Sequence, residues 1–256
     1  MSRAPSASLE PRGRGEPVAR AGARSRLRPP ECRQLYNFNF APVLASWAQL
    51  LAGLETTIGL SAAAMAIGLA VALGLAAAKT SGPAPLRLAV DVYVEVIRNT
   101  PFLVQIFFIY FGLPTLGLRL TPISAALLAL VVNFAAYAAE IIRAGVESIP
   151  RGQIEAGRAL GMSGAQVFVY IVLKPALRNV YPAMTSQFIY LMLTSSVVSA
   201  ISAGDLAAAG ADIQSRTFAS FEVYIVVTVI YLLMSVGFSA IFSGLGRAVF
   251  NYPVAR

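Results

Sequence analysis

Apolar residues fall along this chain in long blocks, separated by shorter polar stretches that carry nearly all of the charge. A helix needs roughly 20 mainly apolar residues to cross the hydrocarbon core of a bilayer. Five blocks meet that demand: residues 53–78, residues 100–113 extended backward by apolar positions from Leu86, residues 122–142, residues 181–201 and residues 221–242. The predicted fold class is therefore all-α, an integral membrane bundle of about five transmembrane helices joined by short helices in the connecting loops.

The block ends carry local signals. Thr121 before Pro122 is an N-cap followed by proline at the first helical position, which starts the third span. Thr100–Pro101 repeats that signal inside the second block, so a kink or break is expected there. The first span is rich in small residues, among them Gly59, Ala63, Gly68, Ala72 and Gly74, and small residues let helix backbones approach closely in lipid.

The polar positions then set direction. With the start of the first span outside, the inner loops and inner C-terminus hold Lys79, Arg87, Arg143, Arg151, Arg158, Lys174, Arg178, Arg247 and Arg256, and the outer loops hold only Arg119 and Arg216. The positive-inside rule then puts the N-terminus out and the C-terminus in. Residues 1–34 do not fit this frame. They hold eight arginines against three glutamates, with Pro, Gly and Ser and no apolar periodicity, and read as a disordered basic tail. No apolar stretch follows these arginines within the tail, which speaks against a signal peptide. The tail is expected to be dispensable, an artefact of a start codon set too far upstream. Residues 35–52, with Phe38, Phe40 and Trp47, are expected to form an interfacial amphipathic segment, and residues 248–256 a cytoplasmic tail.

Composition removes several classes of function. The chain is 57% hydrophobic and 12% charged, against about 25% charged for soluble domains. It has no His and a single Cys, Cys32, so His-dependent triads, the common zinc sites and a disulfide framework are excluded. The positive charge is concentrated in the tail without interleaved aromatics, so no nucleic-acid partner is expected. There is no Gly-x-x-x-x-Gly-Lys-Ser/Thr phosphate loop, so any ATP chemistry must come from another chain.

The most patterned polar segment is the inner connection over residues 145–179. Pro150 can open a short helix, and Gly161 is placed to end it. Ser163 and Gln166 form a capping-box pattern that restarts a helix, with Val167, Tyr170 and Ile171 on one face. Two short helices meeting at a glycine make a rigid projecting knob. On the pattern alone, this knob is either a docking surface or one of the inner-loop helices common in membrane proteins.

Here the residues resemble a known family. Glu155-Ala156-Gly157, then Gly161, then Ile171-Val172-Leu173-Lys174-Pro175 resemble the EAA loop of ABC-transporter importer permeases. The run from Val94 through Arg98-Asn99-Thr100-Pro101 to Gln105 resembles the polar amino-acid subfamily, as do Phe107 to Pro114 and Ala136 to Arg143 leading into Ser148-Ile149-Pro150. The resemblance covers roughly residues 36–245. It departs at Gly157, where the family has a second alanine, at Asn99, where it often has glycine, and at Pro175, which falls one position late. At Leu193-Thr194-Ser195-Ser196-Val197 the subfamily commonly reads Lys-Asp-Thr-Ser-Leu, and both charges are missing here.

The resemblance implies a permease subunit in the bacterial inner membrane, itself not an enzyme, that forms the path of an ATP-driven importer for polar amino acids. It implies coupling to the ATPase through Glu155, Ala156, Gly157 and Gly161. The implied partners are a dimer of ABC ATPase subunits, a second permease chain (identical or similar), an extracytoplasmic solute-binding protein, a polar amino acid substrate and membrane lipid. No cofactor is expected on this chain; ATP and Mg belong to the ATPase. A secondary transporter or channel for small polar solutes is the alternative, though a secondary transporter would be expected to show two similar halves and no convincing repeat is found.

Polar groups at membrane depth are expensive and usually face a cavity or a partner. The substrate-path candidates are Gln105, Thr194, Ser195, Ser196 and Glu222. Against this, Ser and Thr often return a hydrogen bond to their own helix, and Glu55 and Glu222 near outer ends are expected to be solvated. Glu140 and Arg143, three apart, are expected to pair on one helix face.

Overall fold

The computed structural model describes residues 37–249, and every regular element within them is helical. The expected basic tail lies outside these residues, as does most of the expected C-terminal tail. In chain order the helices are α1 (Ala41–Ala45), α2 (Trp47–Ser81), α3 (Ala84–Arg98), α4 (Phe102–Phe107), α5 (Pro122–Glu147), α6 (Arg151–Ala159), α7 (Gly164–Gln166), α8 (Lys174–Thr194), α9 (Leu206–Thr217) and α10 (Ser220–Val249). A π-helical turn (Phe108–Gly112) and a 3₁₀ turn (Leu113–Leu116) prolong α4. A second π-helical segment (Val167–Leu173) joins α7 to α8, and a 3₁₀ segment (Ser195–Ile201) ends α8.

Among the described residues, four helices are long and apolar enough to cross a membrane: Trp47–Thr80, Pro122–Glu147, Gly164–Ile201 and Ser220–Val249. The bent pair Ala84–Arg98 and Phe102–Leu116 passes the same test only when taken together. Among these, α5 is the centre of the bundle, with 61% of its most apolar stretch buried against 17% for α10. Its small residues Ala125, Ala126, Ala129, Ala135, Ala136 and Ala138 are fully enclosed, which lets α2, α4 and α8 pack closely around it. The N-cap is as expected: the Thr121 hydroxyl accepts from Ser124 N at 3.2 Å.

The small residues of α2 divide by face. A Cβ at Gly68 would stand 2.6 Å from the Phe134 ring, and one at Gly53 2.9 Å from the Leu206 backbone, so both mark close helix crossings. Ala72 is also buried, whereas Gly59 and Gly74 face open space and carry no packing role within this chain.

Of three boundaries, two differ from the sequence expectation and one is as expected. First, α2 begins at Trp47 rather than near residue 53, so residues 47–52 are its opening turns and only the five-residue α1 precedes it. The reason is packing: Val43 and Leu50 are buried in a cluster with Leu206, Ile213 and Val223 of α9 and α10. Second, the break expected at Thr100–Pro101 is present, and the chain turns by 108° between α3 and α4. Third, the helix restarted at Ser163 runs without interruption through Ile201, past Pro182 inside α8. The widened π turn ends just before Pro175, whose missing N–H would break a regular α-helical ladder.

The spans also have a common polarity. Gly68 meets Phe134 and Lys79 meets Glu140, so α2 and α5 run in the same direction. Tyr181 near the start of α8 donates to the Phe242 carbonyl near the end of α10 at 2.6 Å. One end of the bundle thus gathers the ends of α2, α5 and α10, the start of α8 and the 148–173 loop. The starts of α2, α5 and α10, with α9, form the opposite end.

Candidate functional site

The loop end is built on a close crossing of α5 and α8. A Cβ at Gly145 would fall 1.9 Å from Val180, so no other residue fits there without displacing α8. Ser148 donates to the Gly145 carbonyl at 2.7 Å and accepts from Asn179 at 3.0 Å. Ile149, Val172 and Ala176, with Val146 and Ile154, form a small apolar core beneath the loop.

On this base α6 stands as a short projecting helix. Pro150 is its N-cap. At its other end Gly161 takes a left-handed backbone, φ 77°. Gly161 N donates to the Arg158 carbonyl at 3.0 Å and Met162 N to the Gly157 carbonyl at 3.1 Å. This pair of bonds is the Schellman closure, which needs the positive φ that glycine adopts without steric cost. The chain restarts at once: Gln166 N donates to the Ser163 hydroxyl at 3.3 Å, and Ser163 N to the Gln166 side chain at 2.8 Å. Both orphan donors of the new helix start are satisfied reciprocally.

What this knob shows to its surroundings is informative. Glu155, Ala156, Arg158 and Ala159 are exposed and Leu160 is 82% exposed, whereas Gly157 is buried. A Cβ at Gly157 would lie 2.3 Å from Ile171 Cδ1 and 3.3 Å from Val167. At this position, where the EAA pattern has alanine, the end of the Ile171 side chain lies where a methyl would stand. Phe168, Val169 and Tyr170 are also largely exposed beside it. Leu160 is thus held outward on a rigid turn, flanked by a carboxylate and a guanidinium.

Behind the knob a charge cluster ties three helices together. Lys79 of α2 bonds Asp91 of α3 at 2.8 Å and Glu140 of α5 at 2.6 Å. Glu140 pairs with Arg143 at 2.9 Å, and Arg143 also bonds Glu147. The Glu140–Arg143 pair is therefore present as expected. Its extension through Lys79 joins residues 61 apart in sequence, which no local spacing could reveal.

Of the five path candidates, Gln105 lies on α4, Thr194 ends α8, Ser195 and Ser196 open the 3₁₀ segment after it, and Glu222 lies at the start of α10. Gln105 is buried and its amide N–H groups donate to the Ile97 carbonyl (2.8 Å), the Thr100 carbonyl (3.1 Å) and the Thr100 hydroxyl (2.8 Å). Its oxygen accepts from Asn133 at 2.9 Å. Gln105 thus satisfies the carbonyls freed where the helix breaks at Pro101, a positional task that leaves no amide group for a solute. Ser195 is fully buried and returns its hydrogen bond to the Met192 carbonyl, and Ser196 does the same to Leu193. Thr194 is half-buried.

Glu222 corrects the expectation of a solvated carboxylate. It is 2% exposed and accepts from Asn39 N at 2.8 Å, because the segment before α1 folds over the start of α10. Glu55 is exposed, as expected.

At the far end the sequence reading missed Asp205. It is fully buried, caps α9 by accepting from Ala207 N (3.1 Å) and Ala208 N (3.2 Å), and accepts from Tyr231 at 3.4 Å. Leu206 N is met by the Thr57 hydroxyl of α2 at 3.0 Å. Burial pushes the Asp205 carboxyl above its ordinary range, against the lowering by the two backbone N–H groups. An aspartate directly before an apolar, alanine-rich run is an N-cap signal that was available.

Comparison with known proteins identifies the lineage. Residues 70–251 match the family of the binding-protein-dependent transport system inner membrane component. The chain belongs to this family. It is 34% identical over 212 residues to the glutamine transport system permease protein GlnP of Escherichia coli, covering 82% of this chain and 97% of that one. It is 39% identical over 155 residues to the probable glutamine ABC transporter permease protein GlnM of Bacillus subtilis, covering 60% of this chain and 72% of the relative. The crystal structure of an amino acid ABC transporter with histidines superposes with a TM-score of 0.78 at 37% identity, over 83% of this chain and all of the matched one. This inner-membrane component is therefore the membrane-spanning permease of an ABC importer, a transport subunit and not an enzyme. The channel and secondary-carrier alternatives fall away, and an ATPase and a binding protein are its implied partners.

Proposed function

We propose that this permease imports a neutral polar amino acid, and that α6 with Gly161 is the element through which a separate ATPase drives it. The observation that carries the coupling reading is the outward Leu160 on a turn locked by Gly161, with Glu155 and Arg158 beside it. ATP and Mg would be held entirely by the ATPase, whose closure on ATP would push α6 and, through the α5–α8 crossing at Gly145, tilt the central span.

Orientation follows from charge. The end that bears the 148–173 loop also gathers Lys79, Arg143, Arg151, Arg158, Lys174 and Arg178, which favours its lying in the cytoplasm. The far end would then face outward, toward a solute-binding protein. Relatives named for glutamine transport support a polar amino acid substrate. A neutral one is favoured because Thr194 stands where the subfamily commonly carries an acid. With Gln105 and Glu222 engaged in holding backbone, the path reading rests on Thr194 and Ser196.

A second permease chain is also part of the proposal. α10 is the least buried span, and Ser235, Ser239, Ser243 and Arg247 line a groove along it at four-residue intervals. Such a polar row on an exposed membrane helix suits an adjoining permease or the path between two.

Affinity purification of the tagged chain from native membranes in mild detergent, wild type beside Glu155→Arg, tests the reading. An ATPase subunit should accompany the wild type and be lost from the variant. An ATPase retained despite the charge reversal would remove the coupling role of α6.

A further inference from the structure

We infer that α3 is a membrane-surface helix, lying in the headgroup region at the loop end with its exposed apolar face against lipid, rather than the first half of a transmembrane span. The 108° turn between α3 and the following helix means that the two cannot both run along the membrane normal. Contacts with α5 decide which one lies flat. Between Val90 and Arg98, α3 meets α5 as follows: Val90 and Val94 cluster with Ala136, Tyr93 donates to the Val132 carbonyl at 2.6 Å, and Tyr137 donates to the Arg98 carbonyl at 3.4 Å. Val90 and Arg98 stand about 12 Å apart along α3, yet they meet neighbouring positions of α5, Ala136 and Tyr137. α3 therefore crosses α5 at one level, while Ile106 and Ile109 of α4 and its continuation join the core that α5 supplies from Ala125 to Ala139.

The level is that of the polar boundary. Asp91 of α3 is bonded to Lys79, which also holds Glu140, so α3 lies beside the cluster where charge first appears at this end. Its side chains sort into three faces. Val90 and Val94 are buried. Arg87, Asp91, Glu95 and Arg98 form a charged strip, most of it lining a cleft of about 350 Å³ shared with Lys79 and Glu140. Leu88, Val92 and Val96, at i, i+4 and i+8, stand 65%, 55% and 54% exposed.

An amphipathic helix in the interface plane sinks its apolar face to the acyl boundary and turns its charges to the headgroups. Arg87 meets no carboxylate among the described residues, and Arg98 lies over the Tyr137 ring at 5.3 Å, so both guanidiniums remain available to lipid phosphates. The occupant proposed for the exposed face is thus the bilayer surface.

Tryptophan fluorescence in vesicles tests this on the full chain. Trp47 is the single tryptophan and is replaced by phenylalanine; Val92→Trp, and separately Leu88→Trp, then place the probe on the exposed face. Each is reconstituted in phosphatidylcholine–phosphatidylglycerol vesicles whose lipids carry bromine either near the headgroup end of the acyl chain or near its methyl end. Leu233→Trp, 65% exposed on α10, is the mid-span reference. Both α3 probes should be quenched more by shallow than by deep bromine, and the α10 probe in the reverse order. Stronger quenching of the α3 probes by deep bromine would make α3 transmembrane and overturn the inference. Loss of quenching at both depths would mean that protein, such as a second copy of the chain, covers the face, and would overturn it equally.

Discussion

The two ends of this bundle solve the same problem with opposite chemistry. At the loop end, full charges pair with one another across α2, α3 and α5, and apolar side chains such as Leu160 and Phe168 are turned outward. At the far end, polar groups turn inward to satisfy backbone, as Asp205, Thr57 and Glu222 do. There Phe38, Trp47, Phe218, Phe221 and Tyr224 stand exposed, as aromatic side chains do at a membrane–water boundary. At the loop end the paired charges lie behind the knob and hold its supporting helices together. At the far end each buried polar group is matched, because an unmatched one in low dielectric is costly.

The contrast predicts different responses to substitution. The largest stability loss should come at the far end, with Asp205→Ala lowering stability by about 2 kcal/mol through the lost cap. Asp205→Asn, which can still cap, should lose less; thermal unfolding in detergent measures both. Equal losses for the two variants would mean that the cap is not what holds α9.

At the loop end Gly161→Ala should cost about 1 kcal/mol, the price of a left-handed backbone with a side chain. Its effect on ATPase retention should exceed its effect on thermal midpoint, because the turn orients Leu160 more than it supports the core. Lys79→Met should cost at most about 1 kcal/mol, since the cluster is partly exposed and screened, and the gap from wild type should narrow as salt is raised. A gap that is unchanged at high salt would show that Lys79 acts by packing alone. Smallest of all, Arg216→Ala, which removes the exposed pair with Asp212 and the bond to Gln49, should leave the thermal midpoint unchanged within error.

Legibility in the sequence followed the range of the interaction. Thr121, Ser163 with Gln166, and Gly161 were read correctly because caps and helix ends are set by neighbours within a few residues. The Glu140–Arg143 pair was legible for the same reason. That Gln105, weighed as a polar residue at membrane depth, also serves the freed carbonyls of Ile97 and Thr100 was not legible from its position. Glu222 was misjudged because the segment that buries it begins at Asn39, 183 residues away.

By itself, the sequence determined that the chain is a helical membrane bundle, how several of its helices are capped, and that one loop is a rigid paired-helix knob. Water and hydrocarbon sort residues by polarity regardless of fold, and helix ends answer to local hydrogen bonding. Only the tertiary structure decided that α3 turns across α5 instead of continuing into α4, that Gly157 is a seat for Ile171, and that Lys79 joins three helices. Each of these depends on which surfaces meet, and close packing of distant segments leaves no trace in the spacing of residues along the chain.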